Sequence, residues 1–193
     1  MSSLYSLISF FPLKILYSLS TFLSTFLPFI YRGRIVRKNL IKSFPDMPKE
    51  EIQKIHNSFY INFCDLFFET IKSYSISESE LSDRVNFKNF HEINEKLTNN
   101  KKILVLASHQ CNWEWLLLAS QLNLSTPLNV IYKKISDKKF DKIMMDSRSR
   151  FGSRLIDSKK ALLYLKRNLK DVSVLAVVAD QSPIKKNRKS WRK

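Results

Sequence analysis

His109 and Glu114 are the side chains whose types and spacing could carry acid–base chemistry. They sit in Ser108-His109-Gln110-Cys111-Asn112-Trp113-Glu114, directly after the apolar run Ile103-Leu104-Val105-Leu106-Ala107. An imidazole titrates near neutral pH and can take a proton from a hydroxyl. A carboxylate close by can orient it and stabilise its cation. Residues five apart on a regular α-helix do not share a face. The pair therefore works only if His109 lies in a turn after a buried strand and Glu114 falls in the first turn of the next helix. Asn112 suits the cap of that helix, and an acid beside its positive end is favourable. The competing reading is that His109 merely fills a strand-end turn, the commoner fate of a lone histidine.

The elements that must position this pair have an α/β texture from residue 85 onwards. Short strands are predicted at 85–87, 103–107, 128–132, 154–156 and 172–179. Helices are predicted at 90–97, 112–121, 140–151 and 158–168. Strands alternating with helices imply a mixed or mostly parallel sheet with helices packed on it. Strand 172–179 is apolar on both faces apart from Ser173, so it expects neighbours on each side. Gly152 is expected to supply the positive φ that ends a helix.

Upstream, Ser43-Phe44-Pro45-Asp46-Met47-Pro48 is a break, and Pro48 suits the first position of a new helix. Ile52, Ile55, Phe59, Phe63, Leu66, Phe67, Ile71 and Tyr74 recur at helical spacing and mark a broad apolar face. Most of that face is expected to be core, with a share of its aromatics free to meet lipid. Asp65, Glu69 and Lys72 read as a solvated charged face on the same helix.

The net charge of +16 on 193 residues points to a polyanionic partner: nucleic acid, or an anionic lipid surface. The apolar first third favours lipid, and the basic and aromatic residues follow no nucleic-acid-binding pattern. With 2 Gly in the chain, a glycine-rich phosphate loop is not expected. Cys64 and Cys111 form no C-x-x-C pair and read as reduced packing residues. His56, His91 and His109 are scattered, which gives a metal site little support.

Residues 15–31, ILYSLSTFLSTFLPFIY, carry no charge. Spanning a bilayer takes about 20 apolar residues with a lower limit near 17, so the run is marginal, although Lys14 can snorkel and extend it. Arg32, Arg34, Arg37, Lys38 and Lys42 follow it, while Lys14 alone precedes it. That asymmetry places everything after Arg32 in the cytoplasm, at the plasma (inner) membrane. A cleaved signal peptide is the rival, but Pro12 and Lys14 interrupt the run and no small-x-small site follows it. Pro28 is positioned to kink or stop the helix. The expected reading is an uncleaved anchor, spanning or interfacial.

Beyond the residues themselves, the text KKILVLASHQCNWEWLLLAS resembles the lipid A biosynthesis (late) acyltransferase family, within the wider lysophospholipid acyltransferases. Further blocks carry the resemblance along most of the chain: RKNLIKSFPDMPKEEIQKI, FYINFCDLFFETIKSYSIS, VIYKKISDKKFDKIM, SRFGSRLI and VVADQSP. The resemblance implies transfer of an acyl chain from an acyl-carrier protein or coenzyme A thioester to a hydroxyl of a lipid A precursor or related lipid. It implies no cofactor and no metal. His109 would be the general base and Glu114 its partner. Lys133 would contact an anionic group of the acceptor, with Lys134 beside it leaving that choice open. Arg150 would bind an anionic group, and Asp180 and Gln181 would sit near the strand end that carries His109. Asp180 alternatively only caps a turn.

The implied organisation is an anchor at 1–31, a basic helical membrane-proximal segment at 32–84 and an α/β acyltransferase core at 85–193. After ADQSP the text departs from the family pattern into Lys185-Lys186-Asn187-Arg188-Lys189-Ser190-Trp191-Arg192-Lys193. This departure reads as a truncated or frame-shifted core, with an unstable or inactive chain as the expectation. The alternative to an active enzyme is a non-catalytic membrane-binding remnant of the same family.

Overall fold

Pro12, the Arg32-Gly33 corner and Pro48 punctuate the first part of the chain into α1 (Ser2–Ser9), α2 (Leu13–Ile30), α3 (Gly33–Ser43) and α4 (Lys49–Lys72). The structure, a computed structural model, describes residues 2–181 and divides after Ile76 into two units. The basic tail 185–193 lies outside the described residues.

In the first unit α2 packs along α4 with an unusual polarity. Leu13, Leu16, Ser20 and Ser24 are buried, while Leu19, Phe22, Leu23, Phe26 and Phe29 are exposed. A helix on a water-soluble core does the reverse. The hydroxyls are used inside the helix pair: Ser20 donates to Asp65, and Tyr17 donates to Glu69 Oε1 at 2.7 Å. Lys72 is buried and donates to the Phe11 carbonyl at 3.3 Å. Asp65, Glu69 and Lys72 are thus not the solvated face read from their charge. Asp65 and Glu69 face α2, whose hydroxyls give them hydrogen-bond partners, and Lys72 reaches the backbone of the connection between α1 and α2. The buried stripe of α4 runs Ile52, His56, Tyr60, Cys64, Phe68 and Ile71. Phe59, Phe63 and Phe67 are exposed, the share of the apolar face expected to be free to meet lipid. Among the described residues α2 is the one helix long and apolar enough to cross a membrane, with mean hydropathy 1.4 over 18 residues. It runs through Pro28 and stops two residues later. Pro48 caps α4 and does not sit inside it.

The corner between α2 and α3 is built on close approach. Arg32 takes the left-handed conformation at φ 56°, and a Cβ on Gly33 would lie 2.1 Å from the Pro28 carbonyl oxygen. That obstacle is backbone and cannot swing away. Gly33→Ala should therefore cost about 1–3 kcal/mol, the usual penalty of overpacking. The check is thermal unfolding followed by circular dichroism in detergent. An unchanged midpoint would show that the contact is unimportant.

The second unit begins with α5 (Glu78–Arg84), capped by Ser77, whose side chain accepts from the Glu80 N–H at 3.1 Å. It continues α6 (His91–Thr98), β1 (Ile103–Ala107), α7 (Trp113–Asn123), β2 (Leu128–Tyr132), α8 (Lys138–Arg148), β3 (Arg154–Asp157), α9 (Ala161–Asn168) and β4 (Val174–Val178). The α/β class read from the alternation holds. The four strands form one sheet in the order β1-β4-β2-β3, every pairing parallel. Parallel neighbours need crossover connections, and α7, α8 and α9 lie between successive strands. Leu128, Val130 and Val174 form its buried core, with Val105, Leu117 and Ala176 packed against them. Burying such a side chain contributes about 1.5–3 kcal/mol each.

Two expectations fail here. Residues 85–87 form no strand; the segment is an irregular connection after α5. The 103–107 strand is not buried on both faces, since β1 is at the sheet edge and Leu104 and Leu106 are exposed. Strand β4 does have a neighbour on each side, pairing with β1 and β2. Gly152 has φ 100°, as expected, in the turn between α8 and β3.

Candidate active site

Parallel pairing decides which loops meet. Ala107 pairs with Val178 at the carboxyl ends of β1 and β4, and each strand is followed two residues later by a polar side chain. These are His109 and Asp180, and the shared register brings them together. His109 Nδ1 lies 2.8 Å from Asp180 Oδ1, and the His109 backbone N–H donates to Asp180 Oδ2 at 3.0 Å. Sites beyond the carboxyl ends of parallel strands are the usual ligand positions of open α/β sheets.

The protonation pattern follows from the partner. The hydrogen bonds from His109 hold the Asp180 carboxyl below the usual carboxylate range, so at neutral pH it is ionised and can only accept. In the neutral imidazole the proton then sits on Nδ1, facing the carboxylate, and the lone pair on Nε2. A carboxyl depressed in the folded state adds stability above its unfolded value, and that contribution is lost as pH falls through the folded value. The His109–Asp180 contact therefore persists through neutral pH and weakens only in acid below the ordinary carboxylate range.

Glu114 sits elsewhere in the network. Asn112 caps α7 as expected, its side chain accepting from the Trp115 N–H at 2.9 Å, and Glu114 falls in the first turn. Cys111 adopts φ 49°, a conformation costly for a residue with a side chain, and so turns the chain from β1 into α7. Glu114, expected to orient His109, makes no direct hydrogen bond to it. Glu114 is buried and forms a two-pronged pair with Arg148, whose Nε donates to Oε2 at 2.8 Å and Nη2 to Oε1 at 2.6 Å. Trp113 Nε1 also donates to Glu114 Oε1 at 3.1 Å. The Trp113 ring in turn packs edge-on against the His109 imidazole, centroids 5.0 Å apart. Glu114 thus reaches His109 through Trp113. The physical reason is competition: a planar guanidinium satisfies both carboxylate oxygens at once, and an imidazole N–H satisfies one.

His109, Trp113, Glu114 and Arg148 line one cavity of about 620 Å³. Its remaining wall is largely apolar, with Phe87, Phe90, Ile93, Leu117, Val130 and Val174 among the contributors. Lys133 and Gln181 also line it, so the structure brings these two expected residues to the site. Lys133 is exposed and has no partner among the described residues, whereas Lys134 pairs with Asp157 at 3.6 Å. Arg150 does not line the cavity; its guanidinium lies 5.0 Å from the Phe151 ring centroid. Asp180 meets the imidazole directly, near the strand end that carries His109 as the resemblance implied, and does not only cap a turn.

Sequence reasoning missed Arg148 and Trp113. Arg148 had a usable signal: it lies four residues after the buried Met144 and one after the buried Ser147. An arginine on the buried face of a helix asks for an acidic partner. Trp113 gave none, because its role depends on where the imidazole stands. The sequence model of one family, described as bacterial lipid A biosynthesis acyltransferase, matches residues 3–190. No curated protein matches the chain.

Proposed function

The chain belongs to the bacterial lipid A biosynthesis acyltransferase family, and from that premise we propose that it moves a fatty acyl group from a thioester to a hydroxyl of a lipid A precursor or related lipid. The observation that carries the assignment of residues is the contact of Asp180 with His109, a residue that lines a mostly apolar cavity. Asp180 fixes the imidazole and stabilises its cation. Nε2 takes the proton of the acceptor hydroxyl as that oxygen attacks the thioester carbonyl. The C–O bond forms, the C–S bond breaks, and the leaving sulfur regains the proton from the imidazolium. Backbone N–H groups in the first turn of α7 supply the oxyanion donors. The donor is an acyl-carrier protein or coenzyme A thioester, and no cofactor takes part.

Glu114 acts as a positioning residue, fixed by Arg148 and bonded to the indole that packs on His109. Lys133, a point charge on the cavity wall, meets an anionic group of the acceptor, and Gln181 supplies a hydrogen bond there. The acyl chain occupies the apolar wall. Incubation of the purified chain with a labelled acyl thioester and a lipid A precursor tests the reading. An ester on the precursor supports it; release of free fatty acid with no acylated lipid would overturn it.

The outward aromatics of α2 favour a membrane setting, in which a lipid-facing helix turns its hydroxyls inward. Residues 1–31 are the anchor, 32–84 lie at the membrane, and the acyltransferase core faces the cytoplasm. The protein should pellet with inner membranes at high salt, and a C-terminal tag should be digested in inverted vesicles. Recovery in the soluble fraction would remove the anchor, and a protease-resistant tag would reverse the orientation.

A further inference from the structure

We propose that the recess at the α2–α3 corner binds the phosphodiester headgroup of an anionic membrane phospholipid. It has a volume of about 980 Å³ and is contained wholly within the first unit. Arg32, Arg34 and Arg37 line it and no acidic residue does. Among the described residues none of the three arginines has a carboxylate within ion-pair distance, so their charge is uncompensated by protein. Guanidinium groups suit phosphate oxygens because their planar fork makes paired, charge-assisted hydrogen bonds.

The wall behind the arginines is ordered by polar contacts. Arg37 Nη1 donates to Gln53 Oε1 at 2.7 Å, and Gln53 Nε2 donates to Asn57 Oδ1 at 2.8 Å. This chain holds one guanidinium in place at the edge of the recess. His56 lines the same recess at 7% exposure, with Nε2 3.2 Å from the Gly33 carbonyl oxygen and Nδ1 without a partner. The His56 ring thus adds a polar group to the wall behind the arginines.

A lipid is favoured over a free anion or nucleic acid by what borders the arginines. Phe29 and Ile35 also line the recess and are themselves exposed, 87% and 54%. An inorganic anion gains nothing from such a border, whereas a lipid covers it with the upper part of its acyl chains. The recess also lies at the carboxyl end of α2, whose residues 15–30 carry no charge, which is headgroup depth for a helix of that kind. The proposal does not depend on the acyl-transfer reading.

The test uses the full chain purified in detergent, with retained lipids counted by native mass spectrometry. Phosphatidylglycerol should be retained about tenfold or more over phosphatidylcholine, as expected when charge-assisted hydrogen bonds are gained. Arg32→Gln/Arg34→Gln should abolish that preference. Lys38→Ala/Lys42→Ala, which removes the same charge from residues outside the recess, should keep it within about twofold. Inorganic phosphate in large excess should not displace the lipid. Equal retention of the two lipids by the unmodified chain would overturn the proposal, whether or not the variants fold. So would equal loss in both double variants, which would reduce the effect to general surface charge. Displacement by phosphate would leave an anion site with no lipid specificity.

Discussion

His109→Ala should lower acyl transfer by about 10⁴-fold, the upper end of what a positioned general base contributes. The Asp180 series then separates geometry from charge. Asp180→Asn keeps an oxygen that can accept from Nδ1–H but removes the negative charge that stabilises the imidazolium. Asp180→Ala removes both. Both should lower turnover, Asp180→Ala by about 10²-fold or more and Asp180→Asn by less. Transfer to the lipid acceptor at saturating thioester is the readout. Full activity in His109→Ala would remove the proposed base, and full activity in both Asp180 variants would return the role of partner to Glu114.

Arg148→Ala should have the largest effect on folding. It strands the Glu114 carboxylate, whose side chain is 5% exposed, without the guanidinium that satisfies both oxygens. Breaking a buried pair from one side costs about 3–5 kcal/mol, since a buried charge is left uncompensated. Arg148 is itself 19% exposed, and water reaching the pair puts the expected loss near the lower figure. Replacing both partners, as in Glu114→Leu/Arg148→Met, should recover most of that stability because no charge remains to desolvate. Thermal unfolding of the three variants beside the parent makes the comparison. A double variant as unstable as Arg148→Ala would mean that the site needs the ion pair itself. If the double variant folds and still transfers acyl groups at the parent rate, Glu114 has no positioning role.

The sequence by itself determined the α/β class, β1, β2 and β4 to within two residues at each end, the Asn112 cap and the place of His109 after a strand. These are local properties. An apolar run bounded by polar turns, or an Asn before a helical stretch, carries its own free-energy preference wherever the chain goes. The anchor-length run before the basic cluster was legible for the same reason. Partners were not. Glu114 is five residues from His109 and Asp180 is seventy-one away, yet Asp180 holds the imidazole. Spacing along the chain says nothing about which strands become neighbours. Only the parallel pairing of β1 with β4, in the register Ala107 to Val178, places the two loops against each other. Likewise Asp65 and Glu69 looked like a solvated face until α2 supplied hydroxyls for them. A charge or an imidazole takes the partner that best satisfies it, and the packing of distant elements decides which partners are within reach.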